Sequence, residues 1–65
     1  MKSLKEANKY LASKTDGKLE MHKHFDYFYF SSDRNFPKSI YIRSIKYITK
    51  NHLDEAIEEC DYSYR

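Results

Sequence analysis

Three side chains near the middle of the chain have the types and spacing that could bind a metal ion. His22, His24 and Asp26 stand at i, i+2 and i+4, so an unbroken strand would present two imidazoles and a carboxylate on one side. A zinc ion held there would also stabilise a short chain. Ligands from one strand do not close a tetrahedral structural site, so we favour surface or hydrogen-bonded histidines and expect no metal or other cofactor.

The single cysteine, Cys60, is the other candidate for reactivity. It lies on the apolar side of a predicted C-terminal helix among acids, where burial disfavours the thiolate, and we expect a packed, unreactive thiol. The acids of that helix look solvated, whereas a catalytic acid and base pair needs one carboxyl shielded from water. One glycine cannot build a phosphate-binding loop. The sequence therefore predicts a protein that is not an enzyme.

The length of the chain limits the elements that can position these side chains. A chain of 65 residues forms one domain, residues 1–65, and buries only roughly 60% of its unfolded surface. With one cysteine it has no internal disulfide, so a partner or a second copy has to be considered as a source of further buried apolar surface. The pattern predicts an α+β fold, α-β-β-α, in which a bulged antiparallel hairpin packs on two helices.

The first element is a helix over about residues 3–14. Ser3 and Glu6 form a capping box in which each side chain accepts from the other residue's amide. Leu4, Ala7 and Leu11 make an apolar stripe, and the only glycine, Gly17, ends the helix.

The strands come from the segment 25–49, which holds every Phe and four of the five Ile. One strand is predicted over about 18–31 and a second over 39–49, with the turn between them. Apolar residues change parity along the first strand, so we expect a bulge or break near 23–26. A rival interpretation makes Pro37 the first residue of a helix over 37–50.

The last element is a helix over about 52–62. Asn51 is the predicted N-cap, and Leu53, Ala56, Ile57 and Cys60 follow the helical period. The charge changes sign close to this helix. Residues 1–50 hold eleven Lys and Arg against five acids, or +6, whereas residues 51–65 hold one against five, or −4.

The start of the chain has no apolar core of signal-peptide length, and no run of about 18 apolar residues occurs. Together with the unpaired cysteine, this predicts a cytoplasmic protein that does not enter membranes.

Binding is the function that the composition favours. Eleven aromatic residues, seven of them Tyr, exceed what so small an interior can hold, and Tyr is enriched in interface hot spots. If alternate residues face the helices, a tyrosine-rich side of the sheet is left for a partner, and the acidic helix adds electrostatic steering. The predicted partner-binding residues are Tyr27, Tyr29, Tyr41, Arg43, Asp54, Glu55, Glu58 and Glu59. The rival interpretation places these Tyr at the rim of the core.

Rich in Lys, Tyr, Ile and Ser and poor in Gly, Pro and Trp, the composition is similar to that of short accessory proteins of AT-rich bacteriophages and mobile elements. The resemblance implies an inhibitor that binds a larger host protein, in host takeover or anti-defence. The alternatives are a homodimer through the same face and a single-stranded nucleic-acid-binding protein with a basic and aromatic sheet. Nucleic acid is disfavoured because the basic residues look scattered and no RNA-recognition motif occurs.

Overall fold

An antiparallel sheet of strand order β1-β2-β3 forms the centre of the fold, and two helices cover one of its faces. The computed structural model describes residues 1–32 and 38–60. In chain order these residues form helix α1 (Leu4–Thr15), strands β1 (Leu19–His24), β2 (Tyr27–Ser32) and β3 (Ser39–Ile40), a short 3-10 helix (Ile45–Tyr47) and helix α2 (Lys50–Glu59). The predicted α+β class, with strands between two helices, is confirmed.

Helix α1 begins at the predicted cap. Ser3 Oγ accepts from the Glu6 amide at 3.0 Å, and the Glu6 carboxylate accepts from the amide of Lys2 rather than that of Ser3, at 3.1 Å. The helix ends one residue later than predicted, where Asp16 and Gly17 both take positive φ, 58° and 77°. The Gly17 amide then donates to the Ala12 carbonyl, which closes the helix.

The parity change in the segment 18–31 has a simple cause. The chain reverses at Phe25 and Asp26, so one predicted strand is a hairpin of two strands. Met21 pairs with Phe30 across it, which places odd residues of β1 and even residues of β2 on the same face. The expected break near 23–26 is therefore a two-residue turn.

The prediction of a strand over 39–49 is wrong beyond Ile40. Strand β3 contains only Ser39 and Ile40, paired with Tyr29 and Phe28 of β2. The chain then leaves the sheet and forms the 3-10 helix, because Ser44 caps it: the Ser44 hydroxyl accepts from the Lys46 amide at 3.4 Å. The rival helix over 37–50 is not found over residues 38–44, and Pro37 lies outside the described residues.

Helix α2 begins earlier than predicted. Its N-cap is Thr49 rather than Asn51, because the Thr49 amide donates to His52 Nδ1 at 2.9 Å. The helix is described to Glu59 and Cys60 is its C-cap, so the predicted extension to residue 62 reaches beyond the described residues.

The core lies between the helices and one face of the sheet. Its largest fully buried side chains come from both helices, the hairpin and the segment before α2: Leu11, Leu19, Met21, Phe28, Ile48 and Leu53. Ile40 and Ile42 pack against this core from its margin. The sheet therefore has one covered face and one open face.

Helix α1 also covers the outer edge of β1. Asn8 Nδ2 donates to the Met21 carbonyl at 3.0 Å, and the Met21 amide donates to Asn8 Oδ1 at 2.7 Å. Two turns further along α1, Thr15 Oγ1 accepts from the Leu19 amide at 3.1 Å. An unpaired strand edge invites pairing with another chain, so these side chains act as a plug along the edge.

Candidate functional site: an aromatic face on the sheet

The open face of the sheet carries a continuous group of rings. Alternation along the hairpin buries Met21, Phe28 and Phe30 and leaves the intervening side chains on the opposite side. We call this surface the aromatic face and define it by its six rings, those of His22, His24, Phe25, Tyr27, Tyr29 and Tyr41.

The rings contact one another from strand to strand. The His22 ring stacks on Tyr29 with centroids 5.2 Å apart, and the Tyr27 ring lies 5.4 Å from that of Tyr41. The His24 ring joins the two pairs in edge-to-face geometry, since its centroid is 5.2 Å from that of Tyr27 and 6.5 Å from that of Tyr29. These contacts hold the rings in a fixed arrangement, so the rings lose little further side-chain entropy when a partner binds them.

Much of this ring surface is open to solvent. Tyr41 is 80% exposed and Tyr29 is 38% exposed, whereas Tyr27 between them is half-buried. Adjacent exposed aromatic side chains form the kind of apolar patch that marks an interaction surface.

Phe25 is the most exposed large apolar residue in the described part of the chain, at 85%. It occupies the first position of the hairpin turn with φ of 50°, a left-handed conformation that glycine adopts without strain and a bulky residue does not. Its ring lies 4.6 Å from that of His24. The turn thus keeps a strained and exposed phenylalanine at the tip of the aromatic face, and such strain concentrates at functional sites.

The aromatic face has an acidic margin. The outward positions of the three described strands are Glu20, His22, His24, Tyr27, Tyr29, Ser31 and Ser39. They include one acid and neither Lys nor Arg, and the exposed Asp26 in the turn adds a second acid. Lys23 lies toward the core side instead, where its ammonium is 4.7 Å from the Phe28 ring centroid.

Arg43, a predicted partner-binding residue, lies apart from the rings. Its carbonyl accepts from Lys23 Nζ at 2.7 Å, and Arg43 lines a shallow cavity of about 350 Å³ together with Leu4 and Ile45. The structure therefore brings Tyr27, Tyr29 and Tyr41 together, and places Arg43 beside Leu4 and Ile45 instead.

The predicted acids of α2 lie on the far side of the core from the aromatic face. Asp54 accepts from the Tyr10 hydroxyl at 2.5 Å, and Glu59 pairs with Lys38 at 2.8 Å. Glu55 and Glu58 are exposed. A single flat partner surface cannot contact both the rings and these two acids, because the helices and the core separate them.

The short hydrogen bond to Asp54 raises the pKa of the Tyr10 hydroxyl, and partial burial and the negative charge of Asp54 raise it further. Tyr10 is therefore held as the neutral phenol, and its ring lies beneath the ammonium groups of Lys14 and Lys50. Its contacts are those of a residue that joins α1 to α2.

Metal binding and thiol chemistry find little geometric support in the described part of the chain. Within residues 1–32 and 38–60, no three His, Cys, Asp or Glu side chains gather to hold a metal ion. Asp26 lies in the turn rather than on the strand, and His22 Nε2 is 2.8 Å from Ser31 Oγ. Cys60 is buried, with its Sγ 3.7 Å from Ser32 Oγ.

None of the helices formed by the described residues has both the length and the apolar character needed to cross a bilayer.

Comparisons of the chain with protein-family models, with curated proteins and with solved structures found no match.

Phe25, His22 and His24 belong to this surface although they were not among the predicted partner-binding residues. The sequence signal for His22 and His24 was present, since they alternate with buried residues next to a tyrosine-rich strand. Phe25 carried a contrary signal, because a phenylalanine beside aromatic residues is typical of a strand rather than a turn.

Proposed function

We propose that this chain is a non-enzymatic protein-binding module that docks on a larger protein through the aromatic face. The observation that carries the proposal is the ordered, exposed group of rings with Phe25 at its tip. Rigid aromatic side chains bury a large area on binding at low entropic cost, which is why they dominate interface hot spots.

The charge around the rings favours a particular kind of partner surface. Glu20 and Asp26 flank the aromatic face, and its strand positions carry no cation among the described residues. A partner that presents arginine among apolar side chains complements this pattern, because a guanidinium stacks on Tyr and Phe rings and pairs with a nearby carboxylate.

The same charge pattern argues against single-stranded nucleic acid on the sheet. A stacking platform needs Lys or Arg beside its rings to neutralise phosphates, and here the margin is acidic. Inhibition of a host protein, the narrower prediction from composition, stays a prediction.

Affinity capture with matched variants tests the proposal. The wild-type protein, Tyr41→Ala and Glu55→Gln are each used as bait in a lysate of the source cells, and bound proteins are quantified by mass spectrometry. We expect one protein that the wild type and Glu55→Gln enrich equally and that Tyr41→Ala enriches about 30-fold less, as for a hot spot worth about 2 kcal/mol.

Enrichment that survives Tyr41→Ala and is lost in Glu55→Gln would contradict the proposal and assign binding to α2. Sedimentation of the purified protein tests self-association separately. A dimer that Tyr41→Ala converts to monomer would show that the aromatic face is occupied by a second copy rather than by a larger protein.

A further inference from the structure

The side of the molecule that carries the helices has a second surface, which is unlike the aromatic face. Two adjoining cavities, each of about 520 Å³, lie between α1 and the segment that leads into α2. They share Met1, Glu6 and Lys50 in their linings, so they form one groove.

This groove collects lysines that are far apart in the sequence. Lys2 precedes α1 and Lys9 lies within it. Lys46 and Lys50, the other two lysines of the lining, come more than 35 residues later in the chain. Among the described residues of the lining, Glu6 is the single acid, so the lining side chains carry a net charge of +3. We call this surface the lysine groove and define it by those four lysines.

We propose that the lysine groove binds the phosphate backbone of a single nucleic-acid strand. The cationic side chains among its described lining residues are all lysines. Lysines act as point charges suited to a row of phosphates, whereas planar, bidentate recognition of carboxylates favours arginine. Dispersed point charges also suit a strand that binds without a fixed sequence.

An exposed ring stands next to Lys46 of the lysine groove. Tyr47 is 61% exposed, and the Lys46 ammonium lies 5.3 Å from its ring centroid. A base can stack on this ring while Lys46 neutralises the adjacent phosphate, which is the combination that single-strand-binding proteins use. Tyr10, which lines the groove, has a different role, because it already contacts two lysines and Asp54.

The length of the groove sets the size of the ligand. On α1 the lining residues run from Glu6 to Ser13, seven positions apart, which is about 10 Å at about 1.5 Å per residue. At about 3.4 Å per stacked nucleotide, this part of the groove spans roughly three nucleotides.

The salt dependence of binding tests the proposal. Fluorescence anisotropy of a labelled oligothymidylate of about a dozen nucleotides is measured as a function of sodium chloride concentration. Four lysines predict a slope of log K against log salt of about −2.8, at about 0.7 per phosphate neutralised on a single strand. Lys9→Gln and Lys46→Gln should each reduce the magnitude of that slope by about 0.7.

Two matched controls make the result specific to the groove. Lys18→Gln removes an exposed lysine from the α1–β1 connection, outside the groove, and should leave the slope unchanged. Tyr41→Ala removes a ring of the aromatic face and should also leave the slope unchanged, so failure of this proposal and failure of the proposed function are distinguishable.

Tyr47→Ala should weaken binding about tenfold through lost stacking.

Three results would overturn the inference. The first is no binding at roughly 0.05 M salt, and the second is an equal loss of slope in Lys18→Gln and in Lys9→Gln. The third is polyglutamate binding as tightly as the oligonucleotide with no effect of Tyr47→Ala, which would assign the groove to an acidic protein.

Discussion

The side chain of Asn8 is predicted to contribute strongly to the stability of the fold, a role that the sequence alone does not suggest. It forms two hydrogen bonds with the main chain of Met21, one as donor at 3.0 Å and one as acceptor at 2.7 Å. Each bond contributes about 0.5–1.5 kcal/mol, so Asn8→Ala should cost about 1–3 kcal/mol. A domain of 65 residues has a total stability of roughly 3–10 kcal/mol, which makes this a large fraction.

The measurement is urea and thermal denaturation followed by circular dichroism. In a domain of this size each kcal/mol moves Tm by about 4–8 °C, so the expected decrease is about 4–24 °C. Alanine has a higher helix propensity than asparagine, and this gain offsets part of the loss. Asn51→Ala controls for that gain, because Asn51 is an exposed asparagine in the other helix.

A second variant separates the two bonds. Asn8→Asp keeps an acceptor for the Met21 amide and places a second acceptor against the Met21 carbonyl, so it should lose at least the donor bond. If Asn8→Ala and Asn51→Ala unfold within about 0.5 kcal/mol of each other, Asn8 does not hold the edge of β1 and the argument is refuted.

Three further predictions concern individual residues. Thr15→Val should cost about 1–3 kcal/mol in urea denaturation, because it leaves the buried Leu19 amide unpaired; Thr15→Ser keeps the acceptor, and equal loss in both variants would contradict this. Phe25→Gly should be more stable than Phe25→Ala by about 1 kcal/mol, since glycine accepts the positive φ; the reverse order would argue against the left-handed turn. Since the folded state raises the pKa of Tyr10 above its ordinary 10.0, the stabilisation by its neutral hydroxyl is complete below that pH and is lost above it. As the pH rises from neutral to about 11, the free energy of unfolding of Tyr10→Phe should therefore fall less than that of the wild type. Parallel curves of unfolding free energy against pH would refute the linkage.

The helices could be predicted from the sequence because their signals are local. The start of α1 is marked by Ser3 and Glu6, and its end by the only glycine, Gly17. The apolar stripe from Leu53 to Cys60 identifies α2. The outward position of the tyrosines also followed from alternation, since it requires only that Phe28 and Phe30 be buried.

The hairpin turn and the plugged edge could not be predicted in this way. Phe25 and Asp26 lack the glycine or asparagine that usually marks a two-residue turn, so the parity change looked like a bulge. Asn8 binds β1 through a contact that only tertiary folding creates.

Surfaces assembled from distant segments were equally hidden in the sequence. Lysines that looked scattered along the chain converge on one groove because α1 packs beside the start of α2. Acids that looked like one solvated row divide into Asp54 and Glu59, which have partners within the fold, and Glu55 and Glu58, which face solvent.

The aromatic face as a binding surface is tested most directly by NMR. Amide and aromatic-ring spectra of the isotope-labelled protein are recorded while the captured partner is added. The account predicts that shifts and line broadening begin at Phe25, Tyr27, Tyr29 and Tyr41 and leave Glu55 and Glu58 unchanged. Perturbations confined to α2, with the ring signals of the sheet unmoved at saturation, would contradict it.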